Sequence, residues 1–164
     1  MVREISSGGV VVRRKDGVWS MASIELPSGT PATAPDSKKR AVKPKPVLCL
    51  PKGLVDPGEK PLEAALREVR EETGISASLV TKLGDSKYVY VRSWGDGEKV
   101  FKIVSFYLLR YESGRIDDVS DAMRIEVARA RWVPLQDAPK LLAYGGEKQM
   151  ARQALQYVDA HPDL

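Results

Sequence analysis

Residues 53–75 read GLVDPGEKPLEAALREVREETGI, and this stretch decides which fold the chain can adopt. Pro61 suits the first position of a helix, apolar side chains recur behind it along one helix face, and a glycine closes the pattern. On this helix Glu68, Glu71 and Glu72 fall within one arc, with Glu68 and Glu72 one turn apart. The stretch therefore predicts a helix that carries three carboxylates directly behind a glycine-rich loop.

Two interpretations of the three carboxylates are open. A solvated acidic face costs only about 0.2–0.5 kcal/mol per like-charged pair, and Arg67 could pair with Glu63 and Glu71. Alternatively, Gly53 and Gly58 free the loop backbone for close approach, and three hard oxygen donors suit Mg²⁺ or Mn²⁺ carrying substrate phosphates. Because loop and helix occur together, the sequence favours a metal site.

The same stretch resembles the box of a known family, the Nudix hydrolases. That box is a glycine, five residues, a glutamate, seven residues, Arg-Glu, an apolar residue, any residue, Glu-Glu, any residue, a glycine and an apolar residue. Its nine fixed positions are matched here by Gly53, Glu59, Arg67, Glu68, Val69, Glu71, Glu72, Gly74 and Ile75. A pattern of this length at fixed spacing is far more specific than a lone glycine motif. The resemblance implies an α/β fold, a Nudix α/β/α sandwich with a mixed sheet between the box helix and C-terminal helices.

The resemblance also implies roles for the box residues. It names as metal ligands the Gly53 carbonyl and the carboxylates of Glu68, Glu71 and Glu72. It casts Glu59 and Arg67 as structural braces of the loop and helix. The cofactor would be Mg²⁺, with Mn²⁺ as a substitute, and the reaction would be attack of water on a nucleoside diphosphate linked to another group.

Glu126 is a further catalytic candidate, because relatives in this family often draw one acidic residue from outside the box. A surface glutamate is an equally good interpretation of the residue. If functional, Glu126 would complete the metal shell or take the proton from the attacking water, with Glu68 and Glu71 as competing bases. The sequence does not assign that base.

The tracts that flank the box look like the diadenosine tetraphosphate hydrolases of this superfamily. These tracts are residues 50–53, 102–108, 126–132 and 142–148. The likeness implies asymmetric cleavage of diadenosine tetraphosphate into ATP and AMP. Lys52 and Lys102 would then offer positive charge to phosphate. The candidates for stacking on adenine are Tyr88, Tyr90, Phe106 and Tyr144, although aromatic residues in strands are more often core residues, and Phe106 stands where some relatives would have tyrosine.

Other functions stay open from the sequence. The closest alternatives are hydrolysis of diphosphoinositol polyphosphates or of oxidised nucleoside triphosphates, followed by ADP-ribose hydrolysis and RNA 5′-end processing. A Nudix scaffold that senses a nucleotide or binds RNA without hydrolysis is the non-enzyme alternative. The complete acidic set argues against it, since a sensor would be free to lose these residues.

Composition sets broad limits on the chain. With 164 residues and 43% hydrophobic content, we expect one Nudix domain over 1–164, acting as a monomer or homodimer on a small nucleotide substrate. No apolar run approaches the ~20 residues that span a bilayer, and no signal peptide is evident, so a cytoplasmic protein without membrane association is expected. Cys49 is the only cysteine and suits a buried strand; the only histidine, His161, lies near the end, which argues against histidine-ligated zinc.

The net charge of +4 is concentrated in residues 27–46. Five cations stand against Asp36 there, a balance of +4 that leaves the rest of the chain neutral. Several prolines with Ser, Thr and Ala between them make this a mobile basic insert, either a solvated spacer or a flap that attracts a polyanionic substrate. The segment lacks interleaved aromatic residues, which argues against stable nucleic-acid binding.

The remaining sequence alternates between apolar and polar residues in short runs. These runs predict strands at 5–13, 18–26, 47–50, 87–92, 99–111 and 130–133, with a turn at 94–97. A short helix is expected after Pro134 through Leu142, and a last helix over 147–160.

Overall fold

The computed structural model describes residues 2–27, 46–93, 95 and 97–164. Its strands are β1 (Val2–Lys15), β2 (Val18–Glu25), β3 (Leu48–Cys49), β4 (Lys52–Leu54), β5 (Ile75–Val91), β6 (Lys99–Gly114) and β7 (Arg129–Pro134). Its helices are α1 (Pro61–Thr73), the short α2 (Ala138–Leu141) and α3 (Gly145–Ala160). Short 3₁₀ turns occupy Ala122–Ile125 and Leu135–Asp137.

The strands of the described chain form one seven-stranded mixed sheet. The main path runs β3-β2-β1-β6-β5, while β4 pairs with β1 and β7 pairs with β2. β1 and β6 run parallel at the centre, and every other pairing is antiparallel. Because β1 pairs with β4 as well as β6, the loop that leads into α1 is anchored at the middle of the sheet.

Alternation along the central strands sends side chains to two separate cores. Val10 of β1 packs with residues of α3 such as Met150, whereas the neighbouring Val11 packs with Val69 of α1. Successive residues of a strand point to opposite faces, so α1 covers one face of the sheet and α2 and α3 the other. The expected α/β/α sandwich is confirmed.

Helix α1 begins and ends where the sequence predicts. Pro61 takes the first turn, where its missing N–H costs nothing, and the Glu63 carboxylate accepts the Lys60 N–H at 3.4 Å. At the other end Gly74 adopts a left-handed conformation, φ 83°, and donates its N–H to the Arg70 carbonyl at 2.9 Å.

The other predicted elements are present, with some boundaries wrong. The predicted strand at 87–92 is the end of β5, which begins at Ile75, and β4 was not predicted. The predicted short helix is a 3₁₀ turn followed by α2, and α3 starts at Gly145 rather than Glu147. Cys49 lies buried in β3 as expected, and burial raises the pKa of its thiol to about 12.

Some expectations fall on residues that the structure does not describe. The basic insert at 27–46 lies outside the described residues except for its two end prolines, and two positions of the predicted 94–97 turn lie outside them as well. In the described part of the chain, no helix is both long enough and apolar enough to cross a membrane.

Candidate active site

Gly53, in the middle of β4, lies directly against the carboxylate of Glu68. A Cβ atom at Gly53 would stand 2.2–2.5 Å from the three carboxyl atoms of that side chain. Any larger residue would force this carboxylate to move, so glycine lets Glu68 pack against the backbone of β4 in the position seen here. The glycine and the glutamate of the box are thus explained by one close contact.

Arg67 of α1 holds the loop between β4 and α1 against the helix. Its guanidinium donates to both carboxylate oxygens of Glu59, at 2.8 and 2.9 Å, and to the Leu54 carbonyl at 3.0 Å. Glu59 also accepts the Asp56 N–H at 3.0 Å. The hydrogen bonds from Arg67 and then from Asp56 hold the pKa of Glu59 at about 2. This bidentate pair spans the loop, and its geometry is that of a brace between loop and helix.

Glu72 is the deepest carboxylate of the box. It is 5% exposed, and its Oε1 accepts the Lys52 N–H at 3.3 Å. Its Oε2 is buried and has no hydrogen-bond partner among the described residues. Burial, reinforced by the nearby charge of Glu68, raises the pKa of Glu72 to about 8. An ionised carboxylate at this depth needs a cation or hydrogen-bond donors to offset its burial.

The other two carboxylates differ from Glu72. Burial raises the pKa of Glu68, while the hydrogen bond from Arg67 at 2.9 Å acts in the opposite direction. Glu71 is exposed and accepts from the same guanidinium at 3.2 Å. Among the described residues, no three Asp, Glu, His or Cys side chains stand close enough together to hold a metal ion. As the side chains are placed, Arg67 contacts two of the three predicted carboxylate ligands.

These donors nevertheless fit a divalent cation. The unpartnered Oε2 of Glu72 and the Glu68 carboxylate packed over Gly53 are hard oxygen donors, which Mg²⁺ and Mn²⁺ prefer. The solvated-face interpretation describes Glu71 but not Glu72, because a buried carboxylate needs a partner. The chemistry of these donors is therefore compatible with a divalent cation where β4 meets α1.

A cavity of about 790 Å³ opens beside this junction. Its charged lining residues include Lys52, Glu72, Glu126 and Glu147, and its apolar and aromatic ones include Ile24, Leu26, Tyr88, Phe106 and Tyr144. Volumes of this size are typical of small-molecule sites.

Most of the predicted substrate residues reach this cavity. Tyr88 and Tyr144 line it with 43% and 49% of their surfaces exposed, whereas Phe106 is 1% exposed and packs into the core. Tyr90 and Lys102 are not among the residues that line it. Tyr90 hydrogen-bonds Glu4, and burial lowers the pKa of Lys102, which lies close enough to Lys52 for their charges to interact.

Glu147 is a site residue for which the sequence predicts no role. It is 4% exposed, accepts the Leu50 N–H at 2.6 Å through Oε1, and forms an ion pair with the Lys52 ammonium through Oε2. The Tyr144 ring centroid lies 5.5 Å from the same ammonium. Burial alone would lower the pKa of Lys52, but the Glu147 carboxylate raises it above its ordinary value. An acidic residue in the first turn of a helix is common on solvated surfaces, so its sequence position does not indicate this contact.

The chain matches the family described as NUDIX domain over residues 36–154, which is more than half of its length. It belongs to the Nudix family. The box thus identified the family, and the expectation of a Nudix hydrolase is confirmed at this level. Nudix hydrolases generally use divalent metal ions, in keeping with the donors around Glu72.

Two relatives show how far the likeness extends. A Mycobacterium tuberculosis protein named as a mutator protein, MutT4, is 35% identical over 158 residues, which is 96% of this chain and 57% of that protein. The asymmetrical bis(5'-nucleosyl)-tetraphosphatase of Mus musculus is 33% identical over 118 residues, covering 68% of this chain and 72% of that enzyme. This chain therefore spans little more than half the length of the mycobacterial relative.

A solved structure supports the fold. The structure described as a C. elegans Ap4A hydrolase binary complex superposes with a TM-score of 0.64 at 22% identity, covering 96% of this chain and 98% of that one. At this identity the likeness concerns the Nudix fold alone.

Proposed function

We propose that this Nudix domain is a divalent-metal-dependent pyrophosphohydrolase that cleaves diadenosine tetraphosphate asymmetrically into ATP and AMP. The observation that carries the proposal is a cavity of about 790 Å³ that is lined both by charged side chains and by the exposed aromatic rings of Tyr88 and Tyr144. A dinucleoside polyphosphate presents both chemistries, a chain of phosphates and a purine ring. The mouse relative is named for an asymmetrical reaction of this class.

The ligands proposed for the ion lie where β4 meets α1 and are the Gly53 carbonyl, Glu68 and Glu72. Glu71 is a further candidate, and in this structure it pairs with Arg67. A divalent ion held there would neutralise phosphate charge and make a water molecule easier to deprotonate. Glu126 faces the same cavity and is placed to accept a proton or to join the ligands. Glu68 and Glu71 remain the competing candidates for the base.

Lysines and tyrosines would hold the substrate. Lys52 lines the cavity, and Lys102 lies close enough to Lys52 for their charges to interact, so both can attract phosphate oxygens. Tyr144 and Tyr88 have exposed faces on which an adenine can stack, a contact typically worth about 1–3 kcal/mol. Phe106 is too deeply packed to offer a face, so its contribution would be to the wall of the cavity.

Hydrolysis of oxidised nucleoside triphosphates is the second candidate. It is supported by the mycobacterial relative, which matches 96% of this chain and is named as a mutator protein. A diphosphoinositol polyphosphate would need several converging cations. Among the described residues, Lys52 and Lys87 are the only cationic side chains that line the cavity. The complete set of box carboxylates disfavours a sensor that binds without hydrolysis.

The test is a product analysis with diadenosine tetraphosphate and Mg²⁺ in ¹⁸O-labelled water. We expect ATP and AMP on ion-exchange chromatography, with the label in one of the two products, and loss of turnover in Glu72→Gln. Glu63→Gln is the matched control, because it makes the same change on the same helix at an exposed capping position that glutamine also suits. ADP as the only product would contradict asymmetric cleavage. Turnover of oxidised dGTP without turnover of the dinucleotide would establish the second candidate instead.

Residues 1–164 are proposed to form a single Nudix domain with the basic segment 27–46 as an insert. Cytoplasmic location and a monomeric or homodimeric state stay predictions. Size-exclusion chromatography with light scattering measures the last of these.

A further inference from the structure

Lys52 lies close to two buried carboxylates that line the cavity, one on α1 and one on α3. Its ammonium forms an ion pair with Glu147 of α3, and its backbone N–H donates to Glu72 of α1 at 3.3 Å. The ammonium and the Glu72 carboxylate are also close enough for their charges to act on each other. In the described ranges of the chain, Glu147 is the only ion-pair partner found for this ammonium.

Glu147 is held firmly in this place. It lies in the first turn of α3 and is 4% exposed, so the carboxylate has little access to bulk water. Its Oε1 accepts the Leu50 N–H at 2.6 Å, which leaves Oε2 for the ammonium. These two contacts join helix α3 to residues 50–52, which precede the loop between β4 and α1.

Glu72 offers the ammonium a competing partner. Its Oε2 is buried and lacks a hydrogen-bond partner among the described residues. The Lys52 side chain is 22% exposed, and a largely buried ammonium that loses its counter-ion is costly unless another carboxylate takes its place. If Glu147 lost its charge, the free oxygen of Glu72 would be the available acceptor, and that oxygen is the one proposed for the divalent ion.

We propose that Glu147 is a positioning residue that retains the Lys52 ammonium on the α3 side of the cavity and thereby leaves Glu72 free for the divalent ion. The inference rests on the metal site described under the proposed function. In this role Glu147 acts through Lys52 and contacts neither substrate nor metal. The same contact holds the ammonium in the cavity, where phosphate would enter.

The test measures Mn²⁺ binding without substrate, by isothermal titration calorimetry. Glu147→Gln keeps an acceptor for the Leu50 N–H and removes only the charge. We expect it to weaken Mn²⁺ binding about ten- to a hundredfold, the range typical of residues that support metal ligands. Adding Lys52→Met should restore the affinity to within about threefold of wild type, because the competing ammonium is gone. Asp159→Asn, the same change at an exposed position of α3, should bind as wild type does.

Each outcome bears on one part of the proposal. Failure of wild type to bind Mn²⁺ would remove the proposed metal site and this inference with it. Wild-type affinity in Glu147→Gln would overturn the inference and leave the metal site intact. A double variant as weak as Glu147→Gln would also overturn it, since Lys52 would then not be the competitor.

Thermal unfolding of each variant monitors folding. If Glu147→Gln does not fold, Mn²⁺ binding to the single variant Lys52→Met tests the inference instead. It is expected to bind Mn²⁺ at least as tightly as wild type, and weaker binding would contradict the inference.

Discussion

Three identical glutamates of the box occupy three different environments. Glu72 is buried with one free oxygen, Glu68 packs against Gly53, and Glu71 is exposed beside Arg67. Helical spacing places them in one arc, as the sequence predicts. Their depth depends on what covers that arc, namely the sheet, the loop and the residues that close the cavity. The sequence therefore predicts that the three carboxylates share one face of the helix, whereas the packing of other segments decides how deeply each carboxylate is buried.

Replacement of Gly53 tests the closest of these contacts. In Gly53→Ala the new methyl group would meet the Glu68 carboxylate at 2.2–2.5 Å, so the end of this side chain must move away from β4. We expect the free energy of unfolding to fall by about 0.5–1.5 kcal/mol, the cost of an unfavourable side-chain conformation, and turnover to fall because a proposed metal ligand is displaced. Urea denaturation measures the first effect and the diadenosine tetraphosphate assay the second.

The matched background for this change is Glu68→Ala. With the carboxylate gone, Gly53→Ala should cost only a few tenths of a kcal/mol, since the two sites interact directly. An equal cost in both backgrounds would show that the glycine serves some other need of the loop.

Helix α1 is the element that the sequence predicts best, and β5 is among the least well predicted. The helix is predicted from a proline, an apolar stripe and a terminal glycine, and each of these signals acts locally. β5 runs from Ile75 to Val91, yet its pairing with β6 shifts register between Ser76/Ala77, Leu79/Thr81 and Lys82/Gly84. Each shift breaks the period-two alternation, so only the regular end at 87–92 is visible as a strand. The partner strand β6, which follows β5 directly in the chain, maintains the pairing across these shifts.

The end of α1 provides a prediction with an internal control. Gly74 and Gly17 both have positive φ, 83° and 77°, so alanine strains the backbone at each by about 1–2 kcal/mol. A Cβ at Gly74 would also meet the backbone carbonyl oxygens of Asp118 and Arg115 at 2.6 and 2.7 Å, whereas one at Gly17 would meet nothing within 4 Å. We expect Gly74→Ala to lower the free energy of unfolding by at least about 1 kcal/mol more than Gly17→Ala.

Chemical denaturation of the two variants measures the difference. Equal losses would mean that the 115–118 turn adjusts at no cost. A larger loss at Gly74 would show that the end of α1 is packed tightly against the turn that follows β6.

The active site as a whole is assembled from segments far apart in the chain. Its lining residues include Ile24 of β2, Lys52 of β4, Glu72 of α1, Tyr88 of β5 and Glu147 of α3. Binding of a divalent ion should therefore stabilise the whole fold, because the site exists only in the folded state. At about a hundred times its dissociation constant, Mn²⁺ should add about 2.7 kcal/mol, or roughly 5–10 °C in Tm for a chain of this size.

Differential scanning calorimetry with Mn²⁺ and then with excess chelator checks this shift. Glu72→Gln should abolish it, and Glu63→Gln should retain it. The same rise in Tm for Glu72→Gln as for wild type would place the ion elsewhere on the protein.

The sequence by itself determined the family, the sandwich fold, helix α1 and the chemistry of the box. Helix α1 follows from local patterns that backbone hydrogen bonds and steric rules convert directly into geometry, whereas the family, the sandwich fold and the roles of the box residues follow from the resemblance of the box. Only the tertiary structure decided that Glu72 is buried and Glu71 exposed, that Phe106 lies in the core, and that Glu147 contacts Lys52. Burial and ion pairing depend on which distant segments meet, and Lys52 and Glu147 come together only when α3 packs on the sheet beside the loop.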